Sequence, residues 1–184
     1  MDSLPFYCFL FAHLMSLVVG FGAVVVVDTA GFLWLFKKTS INSVYRVASI
    51  TQRLIWLGWV GLVLSGVGLI SIKGYVDNLT LIKLFFVFML GVNGLFLHYI
   101  KKSLHRMRIS EISSPSSRFR ITLASAVSQL GWWGALIIGF LHRHWQHYIP
   151  WPDNPWNYIG AMTIVLAVIY FFGEMMLRKT PPRR

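Results

Sequence analysis

The chain has 184 residues, of which 56% are hydrophobic and only 12% are charged. Soluble domains carry about 25% charged residues, so this composition excludes a soluble globular protein and indicates an integral membrane protein. The formal net charge of +11 does not indicate a nucleic-acid partner, because the Lys and Arg residues gather beside apolar segments instead of forming one basic face.

Five apolar segments, each long enough to cross a bilayer as a helix, follow one another with short connections. They cover residues 5–36, 54–72, 79–100, 121–141 and 156–177. The first is longer than one span requires, so it is expected to tilt, to extend into water or to break near Gly20 and Gly22. No long Pro-, Gly- or Ser-rich linker separates the segments, which predicts a single all-α transmembrane domain over residues 1–184.

The connections between the segments alternate in charge. Connections 37–53 and 101–120 carry four and six Lys or Arg residues, whereas 73–80 and 142–155 carry one each. By the positive-inside rule, this pattern places the first pair in the cytoplasm, the N-terminus outside and the C-terminus inside.

The third segment, 79–100, is the part of the chain around which the others are expected to be arranged. It carries Lys83, Asn93 and His98. Ionisable groups at membrane depth cost several kcal/mol unless they face a partner, a cofactor or water. This helix is therefore predicted to be built around a site.

Two polar levels follow from the predicted topology. The outer level holds His13 of the first segment and Lys83 of the third. One interpretation is a cofactor site, in which a neutral imidazole is the axial ligand of haem iron and the lysine is the opposite ligand or pairs with a propionate. The alternative is a buried histidine bonded to a backbone carbonyl and a lysine whose ammonium reaches the outer interface.

The inner level holds Asp28, His98 and Arg53. Asp28 with either of the two others would form an ion pair or a proton relay, but a structural clamp between helices is the favoured interpretation.

A cluster of three histidines, His142, His144 and His147, follows the fourth segment. Imidazoles at this spacing suit copper or zinc, but Asp153 alone offers a supporting carboxylate, and a solvated loop at the membrane interface is favoured. The single cysteine, Cys8, excludes an internal disulfide and a cysteine-based metal cage.

Three short runs carry a resemblance to a known family. They are AHLMSLVVGFGAV in the first segment, QRLIWLG at the start of the second and TLIKLFFVFML at the start of the third. In these runs the chain resembles the HemJ-type protoporphyrinogen oxidases and the broader CopD-like bacterial membrane proteins. The resemblance implies haem b, with His13 as the iron ligand and Lys83 as a haem-binding and catalytic residue. His98 is an additional candidate for a place near porphyrin or substrate.

The resemblance therefore implies a multi-pass protein of the bacterial inner membrane with an electron-transfer or oxidoreductase role. Protoporphyrinogen oxidation is its most concrete form, with electrons passing toward quinone. Two alternatives stay open: a non-catalytic membrane subunit or assembly factor of a respiratory or photosynthetic complex, and a copper-handling protein that uses the outer histidines. The expected partners are the lipid bilayer, porphyrin or quinone, and either a second copy or a membrane-complex subunit.

Overall fold

A computed structural model describes residues 3–106, 115–144, 148 and 153–178. These residues form five α-helices: α1 (Leu4–Leu35), α2 (Ile41–Lys73), α3 (Asn78–Arg106), α4 (Pro115–His144) and α5 (Pro155–Arg178). Each is long and apolar enough to cross a membrane, and no β-strand occurs in the described ranges. The prediction of an all-α protein with five helices able to span a membrane is confirmed.

The first two helices differ from the sequence-based expectations, α1 in its continuity and α2 in its start. α1 runs unbroken through Gly20 and Gly22, so a break does not explain its length; an apolar helix keeps its backbone hydrogen bonds because lipid offers no others. α2 begins at Ile41, not near residue 54, and much of the connection 37–53 is helical. Ser40 caps this start, since its Oγ accepts a hydrogen bond from the Ser43 backbone N–H at 3.2 Å.

Short caps also define the neighbouring ends. After α1, Lys37 adopts a left-handed φ of 58°, and the Lys38 N–H reaches back to the Leu33 carbonyl at 2.8 Å. α2 ends at Lys73, and the following residue, Gly74, caps it with a φ of 80°, which glycine adopts without strain. Asp77 then caps α3, because its carboxylate accepts the Thr80 N–H at 2.7 Å.

The chain divides into two compact units, Met1–Val76 and Asp77–Arg184. The first contains α1 and α2, and the second contains α3, α4 and α5. The single domain expected over residues 1–184 stays a prediction.

In the first unit, α1 and α2 pack as an antiparallel pair with a very close crossing. A Cβ placed on Gly58 would overlap the Gly20 backbone, and its distance to the Gly20 nitrogen would be only 2.5 Å. The ring of Phe9 covers Gly68 farther along the same contact. Small residues thus let two membrane helices approach backbone to backbone.

In the second unit, aromatic and aliphatic side chains of α3 fill the glycine positions of α4. The Phe86 ring lies over Gly134, and the Leu90 side chain lies over Gly131. Phe86 also packs with Met89 and Ala135 in a buried cluster. These contacts fix the antiparallel register of α3 and α4, and with it the level of each polar side chain on the two helices.

Candidate functional site

His13 lies at the contact between α1 and α2, where it bonds to a serine. The imidazole is partly buried, and its Nδ1 lies 2.9 Å from the Ser65 Oγ. A Cβ on Gly66 would lie 3.7 Å from the His13 Cε1, an ordinary van der Waals distance. The ring is therefore held at one nitrogen by α2, and its edge passes beside a glycine of the same helix.

Ser65 itself is 4% exposed and is bonded within α2. Its hydroxyl donates to the Gly61 carbonyl at 2.5 Å and lies 3.3 Å from the Leu62 carbonyl. This serine is absent from the site predicted by sequence. Its contact with His13 depends on the register of two helices, and no pattern within one helix reports that register.

Lys83 belongs to the second unit and lies on α3 beside α4. Its side chain is partly buried, and its Nζ would lie 3.3 Å from a Cβ placed on Gly139. The glycine therefore leaves room for an ammonium group against the α4 backbone. In the predicted topology this position is at the outer level of the membrane.

The other two α3 residues singled out from the sequence differ in burial. Asn93 is 8% exposed, and its Nδ2 donates to the Ala124 carbonyl of α4 at 2.8 Å. A buried amide bonded to a neighbouring helix is a structural contact. His98, more than one turn further along α3, is exposed on the surface of the described chain.

A charged pair that the sequence patterns did not reveal joins α4 and α5. The Arg120 guanidinium donates to both carboxylate oxygens of Glu174, from Nε at 2.5 Å and from Nη2 at 2.9 Å. Ser116 adds a third hydrogen bond to Glu174 at 3.3 Å. Glu174 is 7% exposed, and its position inside an apolar segment was the available signal, because a lone acid at membrane depth needs a partner.

The predicted inner level is distributed over both units. Asp28 and Arg53 belong to the first unit, whereas His98 belongs to the second. Asp28 is partly buried, and Arg53 is exposed. The pairing of Asp28 with His98, like the shared outer level of His13 and Lys83, stays a prediction.

The histidine cluster at the end of α4 lies mostly outside the described side chains, since only His144 is described. Its ring stacks on Phe140 with centroids 4.6 Å apart, and its Nδ1 lies 3.1 Å from the Phe140 carbonyl. Across the ranges that the structure describes, no group of three or more His, Cys, Asp or Glu side chains is placed to hold a metal ion. Because His142 and His147 lie outside the described side chains, the copper-site alternative stays a prediction.

Five apolar helices with hydrogen-bonded polar side chains between them define a multi-pass membrane protein of the α-helical class. No protein-family model matches the chain, and no curated protein or solved structure is significantly similar to it.

Proposed function

We propose that the protein binds haem b in the bacterial inner membrane through His13 and acts in electron transfer. The observation that carries the proposal is the His13 imidazole, partly buried in an apolar helix pair and bonded through Nδ1 to Ser65 at 2.9 Å. Metal-ligating histidines characteristically engage one ring nitrogen in such a bond while the other faces the metal. Haem iron is commonly held by histidine.

The donor set fits haem better than a bare metal ion. A structural or catalytic ion takes three or four protein ligands, and the described residues offer no such group. Haem supplies four ligands from its own ring, so one protein imidazole is enough to attach it. α1 and α2 are also strongly apolar, which suits a hydrophobic group.

Each candidate residue has a distinct role in the proposal. His13 is the axial ligand. Lys83 supplies a cation for a propionate or for an acidic group of the substrate, and it is the candidate catalytic residue. His98 is a second candidate for contact with porphyrin or substrate.

The bound haem would supply one-electron chemistry, with a porphyrinogen as the candidate electron donor, which is oxidised to the porphyrin, and a quinone as the candidate acceptor. The contribution of the chain is to hold and orient the group at a fixed depth and to keep water from it. Oxidation of protoporphyrinogen is the most specific form of this function.

Titration of purified protein with ferric haem tests the proposal. The wild type should develop a saturable Soret band, and His13→Ala should abolish it, because the imidazole is the protein ligand. His144→Ala is the matched control and should bind like the wild type, since this exposed histidine lies at the end of α4. Equal binding by all three proteins would contradict the assignment of His13.

A non-catalytic membrane subunit or assembly factor is the second candidate function. The observation that favours it is the set of polar contacts between helices, namely Arg120 with Glu174 and Asn93 with the Ala124 carbonyl. Contacts of this kind lock helices together without any chemistry. A wild-type protein that folds stably and shows no haem binding would favour this second function.

A further inference from the structure

We infer that Ser65 is a positioning residue that fixes the tautomer of His13 and directs the Nε2 lone pair toward the ligand. The atoms involved form a relay from α1 to α2: the His13 ring, the Ser65 hydroxyl and the Gly61 carbonyl. The functional part of this inference rests on the proposed haem ligation, whereas the tautomer itself can be measured without haem.

The direction of the hydrogen bonds follows from a count of hydrogens. A serine hydroxyl has one hydrogen, and a backbone carbonyl can only accept. The Ser65 Oγ lies 2.5 Å from the Gly61 carbonyl oxygen, so its hydrogen is directed to Gly61. The 2.9 Å contact with His13 must then be one in which Nδ1 donates and the serine oxygen accepts.

A neutral imidazole has one N–H, so a hydrogen on Nδ1 leaves the lone pair on Nε2. This is the tautomer that an Nε2-ligated metal requires. The serine oxygen, polarised by its own bond to Gly61, also draws the Nδ1 hydrogen and makes Nε2 more basic. Ser65 thus acts on the ligand nitrogen through the ring.

The relay is well placed to hold its geometry. Ser65 is 4% exposed, and it lies about two turns along α2 from the glycine crossing at which a Gly58 Cβ would meet the Gly20 backbone. Ser71 provides a comparison within the same helix. Its hydroxyl donates to the Val67 carbonyl at 2.9 Å with the same spacing of four residues, but its side chain is exposed.

The first experiment measures the tautomer in haem-free protein labelled with ¹⁵N-histidine, with His13→Gln used to assign the resonances. Wild-type His13 in its neutral form should show protonated Nδ1 and unprotonated Nε2. Ser65→Ala should reduce this preference, and Ser71→Ala should not change it. A wild-type ring protonated at Nε2 would overturn the inference, whether or not the protein binds haem.

The second experiment measures affinity for ferric haem and the midpoint potential of the bound haem. Ser65→Ala should weaken the affinity for ferric haem by about tenfold or more, because loss of the hydrogen-bond partner of a ligating histidine usually weakens metal binding by that much. It should also raise the midpoint potential, because a less basic imidazole stabilises the ferric state less. Ser65→Thr should restore both values, since threonine makes the same backbone bond at Thr51 with Val47.

The two failures are distinguishable. If the wild type binds no haem while His13 carries its hydrogen on Nδ1, the proposed function fails and the role of Ser65 in the tautomer stands. If haem binds through His13 but Ser65→Ala matches Ser71→Ala in affinity and potential, the inference fails and the proposed function stands.

Discussion

Lys83 extends an ammonium group beside Gly139 within an apolar helix pair, where an interaction with an anion is stronger than in water. In the proposed function that anion is a propionate of haem or an acidic group of the substrate. His13 and Lys83 lie in different units of the chain. Each is therefore tested by its own substitution.

Lys83→Met should weaken haem or substrate binding by roughly 10- to 150-fold, because a charge-assisted hydrogen bond contributes roughly 1.5–3 kcal/mol. Methionine keeps the apolar stem, so the thermal unfolding temperature should be unchanged or higher. Lys73→Met is the matched control, since Lys73 ends α2 and lies 4.4 Å from the centroid of the Tyr75 ring. The same loss in both variants, measured by ferric haem titration, would contradict a specific role for Lys83.

At the scale of helices, the α1–α2 pair depends on glycine at its crossing. Gly58→Ala would place a Cβ 2.5 Å from the Gly20 nitrogen, which forces the helices apart. Overpacking of this kind costs about 1–3 kcal/mol, so the unfolding temperature in detergent should fall. Haem affinity should fall with it, because the His13–Ser65 bond spans the same two helices.

Gly22→Ala is the control for this prediction, because a Cβ at that position would have no atom within 4 Å. Its unfolding temperature should match the wild type or exceed it, since alanine favours the helix by about 1 kcal/mol. An equal loss of stability in both variants would show that the crossing has no special role.

The Arg120–Glu174 pair should couple α4 to α5. Arg120→Gln and Glu174→Gln should each lower the free energy of unfolding by about 1.5–3 kcal/mol, because each removes one charge of the pair and leaves the other uncompensated. The double variant should lose less than the sum of the two, and the difference measures the coupling. Arg53→Gln is the control and should change stability little, because Arg53 is at an exposed position of α2. If the losses of the two single variants simply add up in the double variant, the coupling is contradicted.

For the whole molecule, charge alternation predicts the N-terminus outside and the C-terminus in the cytoplasm. In a Cys8→Ser background, Tyr75→Cys should react with an impermeant thiol reagent in intact cells. Thr39→Cys, in the turn between α1 and α2, should react only after the membrane is opened. The reverse pattern of labelling would mean that the whole topology is inverted.

The helices are predictable from sequence because an apolar run long enough to span a bilayer has few other stable structures. The predicted start of α2 is wrong. The charged residues in 37–53 predict a connection in water, so the helix is expected to begin only near residue 54. Arg46 and Arg53 lie instead on a helix that begins after the cap Ser40. A membrane helix can continue past its apolar segment, and hydropathy does not report how far.

The candidate site is predictable only in part. His13 and Lys83 stand out because ionisable groups are costly at membrane depth. Ser65 does not, because small polar residues in such helices usually serve packing, and its bond to His13 depends on how α1 and α2 cross. Glu174 is missed because its partner, Arg120, lies in the basic connection 101–120. The charges of that connection are interpreted as a signal of topology and not as partners for a buried acid.

The visible absorption spectrum of purified wild-type protein is the most direct test of the haem binding that we propose. Protein from haem-replete cells, recorded oxidised and then reduced, should show a Soret band and the reduced bands of haem b. His13→Ala purified in parallel should lack them while keeping its helical content by circular dichroism. A folded wild-type protein with no Soret band, both as purified and after addition of ferric haem, would contradict the account.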